Sequence, residues 1–418
     1  MLSLSKAGAH GVARPTFMRR QLFSFIVLLA FAAIIRVHAA TQVFEQIGFS
    51  TVPAYGLAGT TGGGDAQPVL VRTVKEFQAA CERLDLKDKK LRDHAPRMVL
   101  VATNLDLGEL ANVTGSSTGK RVGIVRVRPN TTIYSADGAT ISRGTIEVHG
   151  AWNIIIRNLK FRDLWEFDPT GKYDRFGWDY VRITNAGQQR SHHVWVDHCD
   201  FGKVYDGQCD IVHGSDCITV SWNRFAGDER GPHKKSMLIG HSSGPSAAAG
   251  DKGYLNVTLH HNWFENIDDR APRARFGNIH ALNNLIEGAQ YATISVDGAV
   301  TLVEGCVYRD TKVATSFSHA KDSSAKNRAG VICIVDSQYL SPRAAGTPDK
   351  PSERDELENN FKANIDRAKL EFNPPADFAW TNRDALPYRY TADAASTVVA
   401  LVKENAGVGK LRLVGARD

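Results

Sequence analysis

Five similar stretches follow one another in the middle of the chain and decide its fold. They are "VWVDHCDF" (194–201), "ITVSWNRF" (218–225), "VTLHHNWF" (257–264), "IHALNNLI" (279–286) and "TLVEGCVY" (301–308). Each alternates apolar and polar residues, as a half-buried strand does, and each reaches a small polar residue just before another apolar one. The spacings between these small residues are 24, 39, 22 and 22. The small residues are Cys199, Asn223, Asn262, Asn284 and Cys306.

A period near 22 residues, made of short strands and turns with no helical stretch between, is typical of a parallel β-helix. Each coil of such a solenoid buries its inner face only against its neighbours. We therefore predict an all-β fold, a single-stranded parallel β-helix with loop excursions and short peripheral helices. Asparagines at the repeated turn should stack and hydrogen-bond to one another. The upstream run "NIIIRNLKF" (153–161) resembles an earlier coil, with its turn at Asn158.

An antiparallel sandwich is the competing fold. It is disfavoured because Asn-Gly and Asp-Gly hairpin turns do not recur between the strands. The irregular spacings predict insertions that leave the solenoid as loops, and such loops often build binding sites. Two segments have helical patterns, "PSERDELENNFKANIDRAKLEF" (351–372) and "DAASTVVALVKENAG" (393–407), and both should pack on the outside of the solenoid.

Residues 1–39 have the features of a secretory signal peptide. A basic pair, Arg19 and Arg20, precedes an apolar stretch (22–35), and a small-x-small pattern ends at Ala39. A membrane anchor is the weaker alternative, because a bilayer needs about 20 apolar residues. We therefore expect a secreted, extracellular protein whose mature chain, residues 40–418, is one β-helix domain. We expect it to be a monomer with no membrane segment.

The charge of the chain argues against a nucleic-acid partner. The first 39 residues contain five basic residues and no acid, so without them the formal net charge falls from +6 to +1. Six cysteines in a secreted chain make one to three disulfides plausible. Asn112 and Asn130 are possible glycan sites, whereas Asn256 should begin a strand and be glycosylated less often.

The segment "DGQCD" (206–210) contains a candidate metal site. An even separation places Asp206 and Asp210 on the same side of an extended chain, where two carboxylates repel unless a cation lies between them. Counted back from the repeated turns, Asp179 falls on the coil that precedes the one with Asp206 and Asp210. The three carboxylates could then hold a hard cation such as Ca²⁺. Taken singly, such aspartates are more often turn caps or solvated groups.

Counting back from the repeated turns also places basic residues on the coils that follow these aspartates. Arg270 falls nearly where Asp210 does, two coils further on, about 10 Å away along one groove. If the second insertion follows Lys235, this lysine lies on the coil between them. Arg270 and Arg275 could instead be a surface charge run, since their odd separation puts them on opposite faces of a strict strand. Pro272 interrupts that strand, so a bend could bring both arginines into the groove.

These residues resemble a known family. "VWVDHCDF", "DGQCD", "KKSMLIGHSS" (234–243) and above all "RAPRARFG" (270–277) are similar to the pectate lyases of the first polysaccharide lyase family, which are right-handed parallel β-helices. "GFSTVPAYGLAGTTGGG" (48–64) and "AGVGK" (406–410) extend the resemblance over nearly the whole mature chain.

The resemblance implies the activity and the site. It implies cleavage of polygalacturonate, an acidic plant cell-wall polysaccharide, by β-elimination, with Ca²⁺ joining enzyme and substrate carboxylates. Some members have a further acid where this chain has Gly177, which implies one metal ligand fewer here. The roles that it implies are metal ligands at Asp179, Asp206 and Asp210, substrate-binding residues at Lys235 and Arg275, and the catalytic base at Arg270.

The chemistry makes sense of these residue types. Removing the hydrogen on C5 of a galacturonate unit pushes negative charge onto the neighbouring carboxylate, and cations there stabilise it. Arginine is an awkward base because its guanidinium is normally always protonated. Two alternatives remain open, a pectin lyase acting on methyl-esterified chains and a non-catalytic polysaccharide-binding solenoid. Esterified substrate has no carboxylate charge to bridge, so a pectin lyase has little use for three acids in the groove.

Overall fold

Short parallel strands wind through three sheets. The computed structural model describes residues 44–82, 94–110, 123–164, 178–227, 234–316, 330–340, 386–411 and 413. The predicted signal peptide, the predicted helix at 351–372, Asn112 and Gly177 lie outside these residues. From Ile47 onward the chain forms one compact unit. None of the described helices is long and apolar enough to cross a membrane.

Strands far outnumber helices in the described residues. The strands are β1 (Pro68–Val71), β2 (Arg97–Val101), β3 (Leu105–Asp106), β4 (Gly123–Arg126), β5 (Thr131–Tyr134), β6 (Thr140–Ser142), β7 (Gly144–His149), β8 (Trp152–Arg157), β9 (Lys160–Arg162), β10 (Val181–Thr184), β11 (His192–Asp197), β12 (Asp200–Phe201), β13 (Cys209–Ile211), β14 (Asp216–Ser221), β15 (Arg224–Ala226), β16 (Leu238–Ile239), β17 (Asn256–His260), β18 (Trp263–Glu265), β19 (Arg273–Arg275), β20 (Asn278–Leu282), β21 (Leu285–Glu287), β22 (Tyr291–Val296), β23 (Val300–Glu304), β24 (Val307–Arg309), β25 (Val313–Ser316), β26 (Val331–Val335) and β27 (Gln338–Leu340). The helices are α1 (Val74–Cys81), α2 (Pro245–Asp251) and α3 (Ala395–Asn405), with short 3-10 turns at Phe49–Thr51 and Leu107–Glu109.

Within each sheet, neighbouring strands are mostly three apart in chain order, which is the topology of a solenoid with three strands per coil. The ten-stranded sheet has the order β1-β2-β5-β8-β11-β14-β17-β20-β23-β26, the eight-stranded sheet β25-β22-β19-β16-β13-β10-β7-β4, and the nine-stranded sheet β27-β24-β21-β18-β15-β12-β9-β6-β3. Neighbouring strands pair in parallel, as β11 does with β14 and β14 with β17. The predicted right-handed parallel β-helix is confirmed.

A two-residue turn joins the ten-stranded sheet to the nine-stranded sheet in successive coils. Its first residue has a left-handed backbone, with φ of 49° at His198, 54° at Trp222 and 54° at His261. This conformation turns the chain sharply from one sheet into the next, and the second residue then points into the solenoid. The second residues are the small polar ones at which the sequence repeats, and they are buried.

The predicted asparagine ladder is confirmed at this turn. The side-chain amide of Asn223 donates to Asn262 Oδ1 at 3.1 Å, and that of Asn262 donates to Asn284 Oδ1 at 3.0 Å. The same oxygens accept backbone N–H groups, so each buried amide is satisfied. The expected alignment of the upstream coil is wrong by one residue. Arg157 pairs with Asp197, so Asn158, with φ 54°, takes the left-handed position instead.

Stacked rings fill the solenoid on the side of the nine-stranded sheet. Phe161, Phe201, Phe225 and Phe264 pair in register, with neighbouring ring centroids 4.8 Å apart. This distance is the spacing of paired strands, so each ring rests flat on the next. All four are buried, and burial of one such side chain contributes about 1.5–3 kcal/mol. A change at one coil is therefore felt by both neighbours.

Peripheral helices cover the solenoid. Helix α1 begins at a capping box of Thr73 and Glu76 and packs on β1 and β2. Helix α3 confirms the helical pattern predicted at 393–407, and its Val398 and Val402 pack against the outer face of β21 and β24. Helix α2 lies within a loop excursion between β16 and β17.

The disulfide prediction is wrong, since all six cysteines are free. Cys199 and Cys306 occupy the same turn position at opposite ends of the asparagine ladder, four coils and roughly 19 Å apart, whereas a disulfide needs a Cα separation of about 4.4–6.8 Å. The glycan prediction at Asn130 is untested, although its amide already donates to the His94 carbonyl at 2.7 Å. Asn256 begins strand β17, as predicted.

Candidate active site

The predicted site residues lie on consecutive coils, where the chain enters the eight-stranded sheet. Each coil contributes site residues that lie either in the connection before a strand of this sheet or at an outward-facing position of that strand. Because the strands are in register, the contributions line up across neighbouring coils. Asp179 precedes β10, Asp206 precedes β13 and Asp210 lies in it, Lys235 precedes β16, and Arg270 precedes β19, which contains Arg275.

Strand alternation explains why Asp210 faces the site. Its neighbours Cys209 and Ile211 point into the core and are fully buried. Asp210 points outward but is only 5% exposed, because the next coil covers it, and its Oδ1 accepts the N–H of Leu238 at 3.0 Å. A Cβ at position 207 would lie 2.2 Å from Asp210 Oδ1, so any larger residue there would displace this carboxylate.

Asp179 is held in the same way on the preceding coil. It is 2% exposed, and its Oδ1 accepts the Gly207 N–H at 2.8 Å. Burial raises the pKa of Asp179 well above its usual range, and repulsion by Asp210 and Asp206 raises it further. Burial likewise raises the pKa of Asp210, to about 6, with Asp206 adding to the rise and Arg270 opposing it. The chain has thus gathered three carboxylates that disfavour one another's charge.

Arg270 is the cation that faces these acids. Its Nη1 lies 3.6 Å from Asp206 Oδ1 and 3.9 Å from Asp210 Oδ2, so the side chain spans the intervening coil. The expected separation of about 10 Å along the groove therefore describes the backbones and not the charged groups. Within the described residues the guanidinium makes no side-chain hydrogen bond, and its buried Nε has no partner. It is held by its ion pairs with these two carboxylates, which leave its Nε without a hydrogen bond.

Backbone geometry directs Arg270 towards the acids. The residue has a left-handed backbone with φ 75°, and its carbonyl accepts the Met237 N–H at 2.6 Å. Strand β19 starts only after Pro272, at Arg273. The bend predicted at Pro272 is therefore present. Arg270 lies before the strand, so the alternation of side chains along β19 sets the direction of Arg275 but not that of Arg270.

Lys235 lies between the acids and the arginines. It forms a parallel bridge with Asp269 on the next coil, directly before Arg270. Burial lowers the pKa of Lys235, the charge of Arg270 lowers it further, and Asp206, Asp269 and Asp210 oppose the change. A partly buried ammonium in this position would be stabilised by a further negative charge nearby.

Arg275 is fixed at the far side of the site. Its Nη1 donates to the Gly240 carbonyl at 3.1 Å, and its Nε lies 3.3 Å from Asp297 Oδ2. Its side chain is 12% exposed. Burial lowers the pKa of Arg275, Arg273 adds to this, and Asp297 opposes it.

Sequence reasoning missed Arg182 and Asp297. Arg182 is the outward residue of β10 and pairs directly with Asp210, and its charge lowers the pKa of both Asp179 and Asp210. Alternation along the strand after Asp179 was a usable signal for Arg182, because every second residue there faces outward. Asp297 follows β22, and no local pattern links it to Arg275.

The donor chemistry of the acids suits a hard cation, because all three offer carboxylate oxygens. Oδ1 of Asp179 and of Asp210 each accept one backbone N–H, which leaves further oxygens for a ligand. In the described part of the chain, however, no three acidic, histidine or cysteine side chains converge closely enough to hold a metal ion by themselves. A cation here would need ligands from outside these side chains.

Comparisons with known proteins agree with this architecture. The pectate lyase family model matches residues 26–411. Pectate lyase B of Paenibacillus amylolyticus is 32% identical over 301 residues, which is 56% of this chain and 74% of that protein. The pectate trisaccharide-lyase of Thermotoga maritima is 29% identical over 405 residues, covering 94% of this chain and 96% of that protein.

A solved structure of the pectate lyase from Paenibacillus sp. 0602 has a TM-score of 0.65 to this chain, with 25% identity. The match covers 88% of this chain and 97% of that one. The family model alone covers most of the sequence, and the coil arrangement agrees with it. The chain belongs to the pectate lyase family and is an enzyme, a polysaccharide lyase.

Proposed function

We propose that the protein is a secreted, Ca²⁺-dependent pectate lyase. Its substrate is polygalacturonate, a (1,4)-α-D-galacturonan, which it cleaves by β-elimination to 4,5-unsaturated oligogalacturonides. The observation that carries the proposal is the position of Arg270, whose guanidinium lies within 3.6–3.9 Å of two carboxylates. The similarity to a pectate trisaccharide-lyase over nearly the full length supports it.

In this proposal Arg270 acts as the base. Its neutral form takes the proton from C5 of a galacturonate unit, and the C5–H electron pair becomes the C4–C5 double bond. The bond between C4 and the glycosidic oxygen breaks, and that oxygen takes a proton from solvent.

Lys235 and Arg275 bind the substrate carboxylates. Each has donors that point away from the core, and each is partly desolvated, so a substrate carboxylate gains more from them than from water. They neutralise a polyanion that would otherwise be repelled by the three aspartates. They also stabilise the charge that develops on the C6 carboxylate as the C5 proton leaves.

Asp179, Asp206 and Asp210 are the residues that would hold Ca²⁺. When bound, the ion would join the enzyme's carboxylates to those of the substrate and neutralise both. The three acids fit this role because their mutual repulsion is relieved by a cation and their oxygens are the ligands that Ca²⁺ prefers. Because they do not converge on one point, the remaining ligands would be substrate and water oxygens.

The proposal includes export and domain organisation. Residues 1–39 would direct secretion and be removed, and residues 40–418 would act as a single extracellular domain. We propose that the mature enzyme works as a monomer on the plant cell-wall polysaccharide.

The test is the ultraviolet absorbance of the unsaturated uronide, followed on polygalacturonate with and without a chelator. Activity should disappear on chelation and return on addition of Ca²⁺. The same assay on highly methyl-esterified pectin is the control. Full activity in chelator, with a preference for the esterified substrate, would instead identify a pectin lyase. Binding without any absorbance change would contradict the proposed cleavage of this substrate.

A further inference from the structure

Asp297 is a buried carboxylate that contacts the proposed site through Arg275. It follows strand β22, is 2% exposed and has a left-handed backbone with φ 52°. Its Oδ2 accepts the hydroxyl of Ser243 at 2.6 Å and forms an ion pair with Arg275, 3.3 Å from its Nε and without hydrogen-bond geometry. A charge this deeply buried requires a partner of opposite sign, and Arg275 supplies it.

The loop at Gly240 holds Arg275 from its other side. The Gly240 carbonyl accepts a hydrogen bond from Arg275 Nη1 at 3.1 Å. Gly240 has φ 86°, and a Cβ there would lie 2.7 Å from the Arg275 carbonyl oxygen, so only glycine allows this approach. Since Ser243 of the same loop is bonded to Asp297, the carboxylate fixes both the guanidinium and the loop that contacts it.

These contacts leave one end of the guanidinium for substrate. Among the described residues, Arg275 Nη2 makes no hydrogen bond, while Nε faces Asp297 and Nη1 reaches Gly240. A free arginine side chain samples many rotamers, and fixing it in advance removes that entropic cost from substrate binding.

We propose that Asp297 is a positioning residue for the substrate-binding Arg275, acting through its guanidinium and through Ser243. The inference rests on the proposed function, because it concerns how Arg275 meets a substrate carboxylate. Asp297 also opposes the lowering of the pKa of Arg275 that burial and Arg273 cause.

A double-mutant cycle on kcat/KM for polygalacturonate tests this inference. Asp297→Asn should lower kcat/KM about 10-fold or more, the loss expected for one charge-assisted contact. In an Arg275→Ala background the same substitution should change kcat/KM by less than about 2-fold, because the group through which it acts is gone. A purely structural role would lower activity in both backgrounds.

Asparagine suits this site because it tolerates a left-handed backbone. Asp310→Asn is the matched control, since Asp310 is exposed, has φ 51° and follows strand β24 of the nine-stranded sheet, and it should leave kcat/KM unchanged. If Asp297→Asn does not fold, Asp297→Glu keeps the charge, displaces it by one methylene and enters the same cycle. Wild-type kcat/KM for Asp297→Asn, or an equal loss in both backgrounds, overturns the inference. An inactive wild-type enzyme would count against the proposed function instead.

Discussion

Replacing Asp210 with asparagine should stabilise the metal-free protein at about pH 8, although it removes a proposed metal ligand. Burial raises the pKa of Asp210 from 3.8 to about 6, despite the opposing charge of Arg270. The ionised carboxylate is therefore less favourable in the folded chain than in the unfolded one. Asparagine keeps the acceptor oxygen for the Leu238 N–H and removes the charge.

The magnitude and its sign follow from proton linkage. Below about pH 4 both states hold the proton, so Asp210 contributes nothing. Between the two pKa values the folded state binds more protons than the unfolded state, so stability falls as pH rises. Above about pH 6 the full penalty is present. A shift of about two pH units, at about 1.4 kcal/mol each, corresponds to about 3 kcal/mol.

The measurement is the free energy of unfolding in denaturant, with chelator present, at about pH 8 and about pH 4. Asp210→Asn should gain up to about 3 kcal/mol at the higher pH and nothing at the lower one. Asp310→Asn, an exposed aspartate, should change neither value. Added Ca²⁺ should stabilise the wild type more than Asp210→Asn. If Asp210→Asn is less stable than wild type in chelator at about pH 8, the electrostatic account of this site is wrong.

Three further outcomes are expected. Chelation should abolish activity on polygalacturonate and Ca²⁺ should restore it, and full activity in chelator would contradict the metal assignment. Arg270→Lys should lower turnover by about 10² or more, while calorimetry still detects Ca²⁺-dependent binding of oligogalacturonate. The double variant Asp206→Ala with Asp210→Ala should instead weaken that binding. Wild-type turnover in Arg270→Lys would exclude Arg270 as the base. Asn262→Ala should cost about 2–4 kcal/mol of unfolding free energy, because it leaves ladder partners buried and unpaired. Asn405→Ala, at the end of helix α3, should cost less than about 1 kcal/mol, and equal losses would contradict the role of the ladder.

The fold was readable from the sequence because a solenoid repeats one local problem. Each coil has to turn at the same place, and the small polar residues at Asn223, Asn262 and Asn284 mark that place directly. Neighbouring coils contact each other and little else, so a period in the sequence becomes a stack in space. The one-residue error at Asn158 arose because that coil has an asparagine at the left-handed position and an apolar residue, Leu159, in the ladder.

Cysteine count was a poor guide because it carries no geometry. Disulfides are plausible in any secreted chain, but a β-helix separates residues by their coil number. Cys199 and Cys306 share a turn position, and that shared position holds them several coils apart. They adjoin the asparagine ladder at its two ends, where the Cys199 backbone N–H donates to Asn223 Oδ1 and Cys306 Sγ accepts the side-chain amide of Asn284.

The sequence by itself determined the coil period, the ladder and which acids and bases fall on neighbouring coils, because these depend on spacing along the chain. Only the tertiary structure decided how far the side chains reach across coils. Arg270 meets Asp206 and Asp210 because a left-handed backbone before Pro272 redirects it. Asp297 meets Arg275 because two coils and a loop excursion pack together there. Such contacts join residues that no local period relates, so only the packed solenoid fixes them.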